Sequence, residues 1–92
     1  MENLYTFSDV KARVEEPQFW TYHWVLEVPG GLYERVLKNY PGDIYTEQAV
    51  QEFVIQYLRW KGDSGIVGLV GLERNKDGVL IDAAVRYPQR RY

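Results

Sequence analysis

Residues 19–28, FWTYHWVLEV, alternate so that Trp20, Tyr22, Trp24, Leu26 and Val28 share one side of an extended chain. Large rings and β-branched side chains at a period of two predict a strand with that side in the core. The other side, Phe19, Thr21, His23, Val25 and Glu27, is mixed. Upstream, Val10, Ala12 and Val14 alternate with polar residues over 9–16 and read as a second strand. With Phe7, the same stretch also fits a short helix from Ser8; the strand is the preferred reading. Pro17 supplies the turn. Setting Val14 opposite Trp20, Ala12 opposite Tyr22 and Val10 opposite Trp24 keeps the apolar set on one face.

Pro29-Gly30-Gly31 ends the aromatic strand, and Leu32, Tyr33, Val36, Leu37 and Tyr40 recur at helical spacing up to Pro41-Gly42. A longer helix follows. Thr46 is its expected N-cap, Glu47 suits its first turn, and Gly62 its C-terminus. Ala49, Val50, Phe53, Val54, Tyr57, Leu58 and Trp60 form one broad apolar arc, while Ile55 falls among the polar positions opposite. Residues 66–73 are apolar on both faces, as an interior strand would be: Ile66, Gly68, Val70 and Leu72 against Val67, Leu69, Gly71 and Glu73. A loop at Asn75-Lys76-Asp77-Gly78 leads to residues 79–87. There Val79, Ile81, Ala83, Val85 and Tyr87 share a face, with Leu80, Asp82, Ala84 and Arg86 behind. The expected register sets Leu72 opposite Ile81, Val70 opposite Ala83, Gly68 opposite Val85 and Ile66 opposite Tyr87.

The order is therefore β-β-α-α-β-β. It predicts an α+β fold: a four-stranded antiparallel sheet of two hairpins, with one long and one short helix packed mainly on one face. Ninety-two residues suit a single small domain, with 88–92 as a loose tail. A chain of this size buries about 60–68% of its unfolded surface. Fourteen aromatic residues give its core much area per residue. No apolar run reaches membrane-spanning length and no signal-peptide pattern opens the chain, so the expected setting is cytoplasmic, without a membrane.

Chemistry is sparse. With no cysteine there is no disulfide or thiolate site, and one histidine cannot make a histidine-pair metal site. Gly62-Asp63-Ser64-Gly65 resembles the sequence around the reactive serine of chymotrypsin-like proteases. The likeness covers four residues, and His23, the only candidate base, belongs mid-strand; the stretch reads as a turn. Gly62, Gly65, Gly68 and Gly71 recur every third residue but enter a strand rather than a helix, which fits packing and not phosphate binding. No catalytic residue, metal site or cofactor is expected, and the chain reads as a non-enzyme.

Surface composition carries more. Residues 1–58 hold 4 basic and 9 acidic side chains, and residues 59–92 hold 7 and 4, so the halves carry −5 and +3. Arg74, Lys76, Arg86, Arg90 and Arg91 lie in the C-terminal hairpin and tail, where with Tyr87 and Tyr92 they would serve a nucleic acid or an acidic protein surface. The apolar residues left over are Phe19 and Val25 behind the aromatic strand, Val67, Leu69, Leu80 and Ala84 behind the second hairpin, and Ile55 on the long helix. Uncovered apolar surface of this kind marks an interface, and a symmetric homodimer is its commonest solution. The leading expectation is a protein–protein interaction module that self-associates through Phe19, Val25, Ile55, Leu69 and Leu80. The alternative is a nucleic-acid-binding protein using the basic hairpin and tail.

Overall fold

The computed structural model describes residues 7–18 and 21–87, without the side chains of 16–18. Four strands and two helices follow in the expected order: β1 (Lys11–Gln18), β2 (Thr21–Pro29), α1 (Gly30–Val36), α2 (Glu47–Lys61), β3 (Ile66–Arg74) and β4 (Gly78–Arg86). All strand pairs are antiparallel, in the order β1-β2-β4-β3, so the two hairpins join through β2 and β4. Both helices pack on one face of this sheet.

The core forms between the helices and the inner face of the sheet, where α2 lies closest to β3 and α1 to β4 and β2. The α2 arc of Ala49, Val50, Phe53, Val54, Tyr57 and Leu58 is buried against Trp24, Leu26 and Val28 of β2 and Val79, Ile81, Ala83 and Val85 of β4. Rings interlock there: Phe7 packs edge-on against Phe53 and Tyr57, and Tyr57 against Trp24, at centroid distances of 5.6, 5.8 and 6.3 Å. Helix α2 begins as its sequence predicts, with the Thr46 hydroxyl accepting from the Ala49 amide. It ends at Gly62 in the left-handed region, φ +79°. Helix α1 is shorter than the periodicity over 32–40 implies, because Leu37 leaves helical geometry; Leu37 stays buried and Tyr40 half-buried in the turns that follow.

Three details of pairing depart from the sequence reading. The first hairpin sets Val14 opposite Trp24 and Ala12 opposite Leu26, four residues from the expected register. Pro17 is inside β1 rather than the turn. β1 is an edge strand, where a residue with no N–H to donate is tolerated, and pairing is irregular between Glu15 and Gln18. Because the offset is even, Ala12 and Val14 keep the helix-facing side, but they stay exposed. Val10, expected in the strand, precedes it and is buried.

The third departure is in β3. Leu72 pairs with Ile81 and Val70 with Ala83 as expected, but Val67, not Gly68, pairs with Val85. Gly68 and Leu69 together stand opposite the single Ala84, which is a β-bulge. The extra residue inverts the phase of the strand's first half. Val67 therefore turns in to the core, and Ile66 turns out, 51% exposed. The Gln51 side chain of α2 donates to the Gly68 carbonyl at 2.7 Å and pins the bulge.

Glycine is demanded most strongly at Gly78, which pairs with Pro29 where the second hairpin meets the start of α1. A Cβ there would lie 2.0 Å from the Val28 carbonyl oxygen and 2.8 Å from the Gly30 nitrogen, both backbone atoms. At Gly71 a Cβ would meet nothing within 4 Å. Gly78→Ala is thus expected to lower stability by at least about 2 kcal/mol in urea titrations, as overpacking against a fixed backbone does. Gly71→Ala, in dilute protein, should stay within about 0.5 kcal/mol of the parent.

Candidate interaction surface

The sheet face turned away from the helices can be read row by row from the registers. Across β1, β2, β4 and β3, the first row is Lys11, Glu27, Leu80 and Glu73. The second is Arg13, Val25, Asp82 and Gly71. The third is Glu15, His23, Ala84 and the bulge of Gly68 and Leu69, and the fourth is Thr21, Arg86 and Ile66 on β2, β4 and β3. The β3–β4 half is mainly apolar and the β1–β2 half mainly charged. Leu69 is the most exposed large apolar side chain among the described residues, at 78%, with Ile66 next. Alternation puts these residues outside, and no helix covers them, since both helices pack against the other face.

The charged half is organised around His23. Its Nδ1 lies 3.0 Å from Glu15 Oε1 on one neighbouring strand, and its Nε2 lies 3.2 Å from Asp82 Oδ1 on the other. Arg13 approaches the same Glu15 at 3.6 Å. The hydrogen bond with His23, reinforced by the charge of Arg13 and by that of His23 when its ring is protonated, holds the Glu15 carboxyl below the usual carboxylate range. The two carboxylates take opposite nitrogens of one ring, so the group spans three strands instead of converging on a point. No cluster of three metal-ligating side chains occurs among the described residues. All members are about half exposed or more, so this network orients side chains on the face and adds little to stability.

The residues expected at an interface are distributed unevenly. Leu69 projects from the bulge, and Leu80 is half-buried in the first row. Val25, expected as uncovered surface, is already buried at the centre of the face, flanked in register by Arg13 and Asp82. Phe19 lies outside the described residues. Ile55 is half-buried on α2, one turn beyond Gln51 and therefore on the flank toward β3. Gly71 lies on this face as the alternation predicts, whereas Ile66 and the Arg13–Glu15 pair belong to it without a sequence signal that marks them. Strict alternation through 66–72 predicts Ile66 in the core, and the bulge turns it outward.

The basic residues do not form one patch. Arg74 sits at the hairpin tip, on the helix side, with its guanidinium 4.0 Å over the Tyr45 ring, and Lys76 is beside it in the loop. Arg86 ends β4 at the far end of the same hairpin, about 23 Å away at the usual rise per residue, on the open face. Arg90, Arg91 and the remainder of 88–92 lie outside the described residues.

The Gly62-Asp63-Ser64-Gly65 stretch is a structural joint. One Asp63 oxygen accepts the Gly65 amide at 2.8 Å and the other accepts the Tyr87 hydroxyl at 3.2 Å, tying the end of α2 to the end of β4. Gly65 leaves room for Val85 and Tyr87, since a Cβ would stand 2.2 Å from Val85 Cγ1. Ser64 is exposed, and both nitrogens of His23 are engaged elsewhere. Burial, with the Asp63 carboxylate adding to it, pushes the Tyr87 phenol up to about 12; the nearby Trp24 indole opposes the shift. That indole Nε1 is buried with no hydrogen bond among the described residues.

Asp63→Ala is expected to cost about 1–2 kcal/mol in chemical denaturation, while Ser64→Ala stays within about 0.5 kcal/mol. Because the folded phenol of Tyr87 ionises above the ordinary value of 10, its contribution is complete below pH 10 and is lost as pH rises toward about 12. Alkaline denaturation followed by fluorescence should show stability falling through that window. No helix among the described residues is long and apolar enough to cross a membrane. No protein-family model, no curated protein and no solved structure matches the chain.

Proposed function

We propose that the protein is a non-enzymatic, cytoplasmic interaction module that forms a homodimer through the open face of its sheet. The observation that carries this reading is the β3–β4 half of that face, where Ile66 and Leu69 stand 51% and 78% exposed near half-buried Ala84, with half-buried Leu80 beyond Asp82 in the first row. Size supports a second copy as the occupant. Four strands about 4.8 Å apart, with a side-chain border, span about 20 Å, and nine residues at about 3.4 Å each span about 30 Å. Two such faces would bury roughly 1,000–1,200 Å², the lower end of specific interfaces. The non-enzymatic reading draws on His23, whose two nitrogens both face carboxylates and not Ser64. The separation of Arg74 and Lys76 from Arg86 leaves the nucleic-acid alternative without a contiguous basic surface among the described residues.

Sedimentation equilibrium at concentrations up to hundreds of micromolar should resolve a species of twice 10.8 kDa. Leu69→Asp should weaken it by about tenfold or more with the fold unchanged, the loss expected when a buried leucine becomes a charge. A monomer at hundreds of micromolar would refute the proposal.

A further inference from the structure

Resting on that reading, we propose that the two copies are related by a two-fold axis running across the strands, so that Leu69 of each protomer enters the notch above Gly71 of the other. The sheet's own rows select this axis. A two-fold across the strands lays each strand over its counterpart with the rows reversed, the first over the fourth and the second over the third. On β3 the second row is Gly71 and the third is the bulge. The most exposed apolar side chain therefore meets a position with no side chain, where even a Cβ would find nothing within 4 Å.

The same operation matches charge. The first row meets the fourth, so Arg86 of one copy lies over Leu80 of the other, between the carboxylates of Glu27 and Glu73. None of Arg86, Glu27 and Glu73 has an ion-pair partner among the described residues. On β1 the second row meets the third, which sets each Arg13 over the opposite Glu15. A two-fold parallel to the strands fits worse. It lays the most exposed apolar side chain, Leu69, over the Glu15 carboxylate, Val25 over Asp82, and Arg13 over Gly71. The axis across the strands also carries two unlike pairs, Ile66 over Glu73 and Ala84 over Asp82, and is selected by the Leu69, Arg86 and Arg13 matches. Sheets packed face to face sit about 10 Å apart with strands within about 30° of each other, close enough for both the leucine and the arginine contacts.

The test is a set of surface variants compared by sedimentation, with circular dichroism to check the fold. Gly71→Leu fills the notch and should weaken dimerisation by about tenfold or more. Arg86→Glu sets three carboxylates together across the interface and should weaken it by a similar factor. Adding Glu73→Arg to Arg86→Glu restores the pairing within the dimer and should recover most of that loss. If the wild type dimerises and Leu69→Asp disrupts it, but Gly71→Leu has no effect and the double charge reversal recovers nothing, the face is the interface and the two-fold assigned to it is wrong. If the wild type is monomeric, both proposals fail.

Discussion

A sheet has two faces, and the two described helices cover one of them. Helix α2 supplies most of that cover, lying closest to β3 and sending a buried arc of six apolar residues into the core shared with β2 and β4. Helix α1 adds Leu32, Tyr33 and Val36. Tyr33 binds the Ile44 carbonyl and stacks on Tyr45, so the loop between the helices is tied to the same layer. Burial of these rings supplies the driving force of the fold, and edge-to-face contacts among Phe7, Phe53, Tyr57 and Trp24 give it shape. What the opposite face displays follows from this, because alternation sends outward every second residue of strands whose inner positions are committed to α2.

The bulge in β3 decides which residues those are. Without it, Ile66 would point into the core and Val67 outward. With it, Val67, Val70 and Leu72 all pack against the core, and Ile66 and Leu69 join Leu80 and Ala84 at the open face. Gln51 holds the bulge by donating to the Gly68 carbonyl. A polar side chain of the covering helix is thus bonded to the irregularity that sets the composition of the opposite surface. Bulges at edge strands commonly discourage pairing with foreign strands, and here the same irregularity also creates an apolar projection.

The strands and helices, their order and the side taken by α2 were legible in the sequence, because period-two and period-3.6 patterns are strong in β2, β4 and α2 and the caps at Thr46 and Gly62 are unambiguous. The first hairpin's register was not. Val14 and Ala12 are too small and too exposed to select a partner, so Pro17 looked like the turn when an edge strand could absorb it. The bulge was hidden for a different reason. Residues 66–72 are apolar on both faces, so a one-residue shift in phase leaves no mismatch to detect. The cross-strand group of Glu15, His23 and Asp82 depends on three strands being adjacent, which no local pattern encodes. The role of Asp63 was half visible: its turn chemistry could be read from Gly-Asp-Ser-Gly, but its bond to Tyr87 spans 24 residues.

The claim that the uncovered face meets a second copy of itself is tested most directly by isotope-filtered NOE spectroscopy on a mixture of labelled and unlabelled protein. The account predicts intermolecular contacts from the methyl groups of Ile66, Leu69, Leu80 and Ala84, including Leu69 methyl to Gly71 α-proton, and none from Val50 or Val54 beneath the sheet's other face. Intermolecular contacts arising only from the helical layer, or none at concentrations where a dimer sediments, would contradict it.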